Sequence, residues 1–78
     1  MVKKELPFNQ RIVVKLKDFD INTGEDIVCY HCVVVKRYNM SYDAVPKPCG
    51  YEALKDGQNY IFYISFNDVL DYRIVEDF

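Results

Sequence analysis

"IVCYHCVVV", Ile27 to Val35, is the stretch on which the reading of this chain turns. It holds two of the three cysteines and the only histidine. Its residues are β-branched or aromatic apart from the cysteines and histidine, and nothing in it breaks a strand. Side chains alternate across a strand. One face then carries Ile27, Cys29, His31, Val33 and Val35, and the other Val28, Tyr30, Cys32 and Val34. An antiparallel sheet with one wet face alternates apolar with polar residues. This strand is greasy on both sides, so something has to cover its second face.

The flanking sequence extends the pattern. "RIVVKLKDF", from Arg11, alternates with Ile12, Val14 and Leu16 on one side, as a half-buried strand does. "DINTGED" between the two runs is rich in turn formers. Residues 11–38 therefore read as a β-hairpin, preceded by an N-terminal arm over 1–10 that Pro7 interrupts. "NYIFYISF", starting at Asn59, is a second two-sided run, with Tyr60, Phe62, Ile64 and Phe66 opposite Ile61, Tyr63 and Ser65. Between them, Pro46 and Pro48 argue against a central strand. "CGYEALKDG" predicts a short helix near 49–56 ending at Gly57, with a strand over Tyr42–Val45 as the other option, and Tyr51, Ala53 and Leu54 free to cover part of the second face.

The chain ends on a strand, a tight turn and a short strand. "ISFNDVLDYRIV", residues 64–75, resembles the last two strands of small SH3-like and Sm-like β-barrels, with Ile64, Asn67, Val69 and Ile74 at the matching positions. Where the Sm family has Arg-Gly ahead of the Asn, this chain has Ser65-Phe66, so the resemblance implies a fold and not Sm-type RNA binding. The expected architecture is one mainly β domain over 1–78, a small antiparallel sheet or SH3-like barrel of 4–5 strands, with one short helix near 49–56.

Composition narrows the function. Seventy-eight residues form a thin core. Net charge is −2, divided into +2 over residues 1–40 and −4 over 41–78. The acidic half is no phosphate-binding surface. No run approaches the ~20 apolar residues of a membrane span, and Pro7, Asn9 and Gln10 interrupt any apolar run after the basic start, so no signal peptide is expected. An odd cysteine count fits free thiols in the cytoplasm.

The chemistry-bearing residues are few. Cys29 and His31 share a strand face, and with Cys49 they are the candidate ligands for a zinc-stabilised module. Cys32 points the other way, which works against a two-thiolate knuckle in mid-strand. A Cys–His nucleophile needs an oriented base, and His31 beside Cys32 is directed to the opposite face. The three glycines form no phosphate loop. No catalytic residue, resident metal or cofactor is expected.

The excess of apolar β surface points instead to a non-catalytic protein-binding module, docking on a larger protein or on a second copy as a homodimer. Tyr30, Tyr63 and Tyr72 are its expected contacts, with Asp68, Asp71, Glu76 and Asp77 as an acidic rim. A compact, acidic, Tyr-rich chain resembles in style the accessory proteins of phages and mobile elements, including inhibitors of bacterial defence systems. The alternative is a small barrel binding single-stranded nucleic acid through Tyr or Phe platforms beside Lys15, Lys17, Lys36 and Arg37.

Overall fold

The computed structural model describes residues 5–76. Five strands form one antiparallel sheet: β1 (Arg11–Asp20), β2 (Glu25–Met40), β3 (Pro48–Lys55), β4 (Ile61–Ser65) and β5 (Val69–Ile74). Their order is β4-β3-β2-β1-β5. The fold is mainly β, as the strand patterns required. The sheet is not closed into a barrel, because β4 and β5 are both edges.

Those two edges are nevertheless joined by a single 3₁₀ turn, Phe66–Asp68. In a flat sheet, four inter-strand steps would separate them by about 19 Å. The short link from Ser65 to Val69 reaches at most ~14 Å. The sheet is therefore strongly curled, with its concave face wrapped around the core. Ser65 caps the turn, its hydroxyl accepting a hydrogen bond from the Asn67 amide at 3.4 Å.

Register places the inner row residue by residue. Ile12 lies opposite Val33, Val14 opposite His31 and Leu16 opposite Cys29. On the other flank of β1, Ile12 faces Ile74 and Val14 faces Tyr72. The buried core is Leu6, Ile12, Val14, Leu16, Val33, Val35, Tyr51, Ala53 and Ile64. At one end Phe8, Tyr38, Tyr51 and Phe66 interlock, with ring centroids 4.9 Å apart for Tyr51–Phe66 and 5.0 Å for Phe8–Tyr38. Edge-on ring packing of this kind adds to area burial.

The N-terminal arm takes part in this packing. Leu6 is buried, its amide donates to the Tyr51 hydroxyl at 3.2 Å, and Asn9 N–H donates to the Val35 carbonyl at 2.8 Å. The β1–β2 turn is closed by Asp20, whose carboxylate accepts from Asn22 N–H at 2.9 Å and whose carbonyl accepts from Gly24 N–H at 2.8 Å. Gly24 has φ 73°, a conformation that favours glycine.

The middle segment corrects the expectation. There is no helix over 49–56: Pro48–Lys55 is strand β3, between β2 and β4. Pro48 is its first residue, one of the few places a sheet admits proline. Tyr42–Val45 is a loop rather than a strand, pinned where Ser41 N–H donates to the Lys47 carbonyl at 2.8 Å and Lys47 N–H donates to Ser41 Oγ at 3.1 Å. The physical reason is alternation: Tyr51 and Ala53 point into the core, while Glu52 and Leu54 point away from it. As a strand in the same sheet, this segment cannot cover the outer face.

Candidate functional site

The outer, convex face of the sheet is built by the residues that alternate with the core. Four cross-strand rows run over it. Arg11, Val34, Leu54 and Ile61 form one, and Arg73, Val13 and Cys32 a second. Asp71, Lys15 and Tyr30 form a third, and Arg37, Glu52 and Tyr63 a fourth. Val28, opposite Lys17, extends the face towards the hairpin tip. Tyr30 is 65% exposed, Tyr63 61% and Val28 47%, values far outside those of the core. Among the described residues, no element packs over this face.

Its charges are arranged around the apolar centre and are largely matched. Arg37 Nε donates to Glu52 Oε1 at 2.7 Å, and Arg11 Nη2 donates to Asp56 Oδ2 at 3.0 Å. Lys15 stands in register between Tyr30 and Asp71. Shallow hollows flank the centre, one lined by Lys36, Arg37, Glu52, Leu54 and Ile61, another by Val13, Lys15, Tyr30, Asp71 and Arg73. An apolar patch with a polar rim is the anatomy of a recognition surface.

Beyond this face the β1–β2 hairpin ends in an acidic tip. Asp18, Asp20, Glu25 and Asp26 fall here with no Lys or Arg between Asp18 and Val35. Asp68, on the 3₁₀ turn, joins Lys17, Asp18, Phe19 and Asp26 around a shallow depression. Along the sequence the negative balance sits in the second half. In space, Asp18 and Asp26 from the first half meet Asp68 from the second around this depression.

The seven expected contacts thus separate. Tyr30, Tyr63 and Asp71 lie on the outer face. Tyr72 lies on the inner one, paired with Val14 and packed against the core. Asp68 belongs to the acidic tip, Glu76 is exposed beyond β5, and Asp77 lies outside the described residues. Val28, Val13 and Leu54 complete the patch and were not singled out as contacts. The signal for Leu54 was the period-two pattern of residues 50–55, hidden by their helix-forming composition.

The candidate metal ligands are not brought together. Cys29 and His31 share the inner face, but Cys49 sits at the opposite end of β2, where its thiol donates to the Asn39 carbonyl at 3.3 Å. Ten residues of strand separate Cys29 from Asn39, about 33 Å. No cluster of three or more metal-ligating side chains occurs among the described residues. Cys29 instead donates to Asp18 Oδ2 at 3.7 Å, and burial followed by that carboxylate pushes its thiol pKa up. That is the reverse of what activates a thiol. His31 packs on Phe62, centroids 4.8 Å apart, and Lys55 Nζ stands 5.5 Å over the same ring. Burial and then Lys55 lower the imidazole pKa, against an opposing pull from Asp18.

No family model, no curated protein and no solved structure matches the chain. Among the described residues, no helix is long and apolar enough to cross a membrane.

Proposed function

We propose that this chain is a non-catalytic protein-binding module whose outer sheet face docks on a partner protein. The observation that carries this reading is the outer-face patch on which Val28, Tyr30, Ile61 and Tyr63 are exposed and Val34 and Leu54 half-buried, on strands that already bury their other face. Tyrosine suits such a surface, giving large contact area with a polar tip. The partner has an apolar patch of its own and a basic flank, because the acidic hairpin tip lies beside Val28 and Tyr30. A small inhibitor or adaptor of the phage type works in this way. The three free thiols, with Cys29 and Cys32 on opposite faces, support a reducing, cytoplasmic setting.

Binding of single-stranded nucleic acid is the weaker reading. Stacking platforms need neighbouring Lys and Arg side chains that are free to neutralise phosphates. On this face the Arg11 and Arg37 guanidiniums already hold carboxylates.

The test is cross-linking capture from cell extract with the wild type, Tyr30→Lys, and a tip variant carrying Asp20→Lys and Asp26→Lys, each first checked by circular dichroism. The reading requires a partner whose cross-links map to the outer face and which both variants lose. Cross-links elsewhere, or a Tyr30→Lys protein that keeps its partner, overturn it. Tight, salt-sensitive binding to an oligothymidylate would replace it with the nucleic-acid reading.

A further inference from the structure

The two edges of the sheet are not alike. β5 carries Asp71 and Arg73 in its middle, and its pairing with β1 is broken by an irregularity at Lys15/Leu16. Charges and bulges are the devices by which edge strands avoid pairing with other chains. β4 has neither. Its register with β3 runs without a shift from Gly50–Ser65 to Leu54–Ile61. The run Asn59–Asn67 contains no charge, no proline and no glycine. Its free side has no neighbouring strand among the described residues. Every second residue of an antiparallel edge turns its peptide N–H and C=O outward. β4 therefore offers an unsatisfied, unguarded ladder.

We infer that two copies of this chain pair antiparallel along β4, with Tyr63 on the two-fold axis. The occupant follows from the sequence of the strand itself. A two-fold centred on Tyr63 places Phe62 opposite Ile64 of the second copy on the inner side, and Ile61 opposite Ser65 on the outer side. Aromatic–aliphatic pairs of this kind stabilise a ladder. With no charge in the strand, self-pairing sets no like charges against each other. Of the β3 charges, Glu52 is already held by Arg37 at 2.7 Å on the side away from the seam, and Lys55 stands over the Phe62 ring of its own copy. Tyr60, Ile61 and Tyr63, all exposed, become covered or shared across the axis. Closed two-fold pairing uses up the edge and so stops at two copies. The outer faces of both copies then continue into one another. This inference shares Ile61 and Tyr63 with the docking face proposed above but does not depend on that docking, since it rests on the free edge of β4 and not on the centre of the face.

Sedimentation of the full chain over a dilution series decides it. The wild type is expected at twice the 9.2 kDa chain mass at high loading, dissociating on dilution. Tyr63→Lys and Tyr63→Glu each place like charges on the axis and should run as monomers, and their equimolar mixture should recover the dimer. Tyr30→Lys, two strands from the edge, should leave it intact. Amide exchange provides a check free of substitutions: protection in β4, but not in β5, should rise with concentration. A wild type that stays monomeric up to millimolar overturns the inference. So do Tyr63 variants that remain dimeric, a mixture that stays monomeric, or a dimer that Tyr30→Lys dissolves.

Discussion

Gly50 and Ile64 approach each other so closely across the β3–β4 ladder that no side chain fits at position 50. A Cβ there would overlap the Ile64 carbonyl oxygen and stand 3.1 Å from the carbonyl carbon and 3.2 Å from Ser65 Cα. The obstacle is backbone, which cannot turn aside as a flexible side chain can. Gly50→Ala is therefore expected to destabilise the domain by about 1–3 kcal/mol, read as a lower urea midpoint at unchanged slope. A midpoint equal to wild type would mean that β3 and β4 separate at little cost.

Core truncations should rank by burial. Ile12 is fully buried between Val33 and Ile74, whereas Phe62 only partly packs against the core. Ile12→Ala should cost about 2–5 kcal/mol, a large share of the roughly 4–12 kcal/mol that a chain this long commands. Phe62→Ala should cost less despite removing more atoms. Paired urea titrations give the order, and the reverse order would place the centre of the core at β4 rather than β1.

Stability should fall on mild acidification, and His31 should be responsible. Its folded pKa lies below the ordinary 6.5 because of burial and Lys55. The unfolded chain then binds more protons between the two values, so stability rises with pH in that window. It is fully present above 6.5 and declines as pH falls from there to the folded pKa. His31→Gln should flatten the dependence of the urea midpoint on pH across this window. An unchanged slope in the variant would assign the dependence to other groups.

The thiols should differ in reactivity. Cys49 is exposed, while Cys29 is half-buried and faces Asp18. Timed alkylation followed by mass spectrometry should find Cys49 modified before Cys29, and Asp18→Asn should accelerate Cys29 by easing formation of its thiolate. Equal rates in wild type and variant would remove Asp18 from the control of that sulfur.

Much of the architecture was legible where alternation and propensity agreed. Ile12, Val14 and Leu16 point inward as the pattern of β1 required, and both faces of β2 and β4 divide as their sequences did. The 3₁₀ turn falls on Phe66–Asp68, within the stretch 64–75 where a tight turn between two strands was expected. β3 was not legible because two signals conflicted. Glu52, Ala53, Leu54 and Lys55 are good helix formers, and the prolines argue against a strand. Its strand conformation comes from tertiary packing, with Tyr51 joining the aromatic cluster and Ala53 lying against Val35. The outer-face patch was legible in kind but not in membership. Asp71 and Tyr72 are adjacent in sequence and on opposite sides of the sheet, a distinction only the register of β5 supplies.

The position of β1 has a consequence for synthesis. β1 is made before β2, β3 and β4, yet one of its flanks is completed only by Val69–Ile74, which follows all of them. During translation that flank stays open while the chain between them is built, and no shorter product can occupy it. Contacts between residues this far apart in sequence form slowly. Completion of the sheet thus waits on β5, and a copy lacking that strand displays an unpaired flank beside its hydrophobic interior, a surface prone to association.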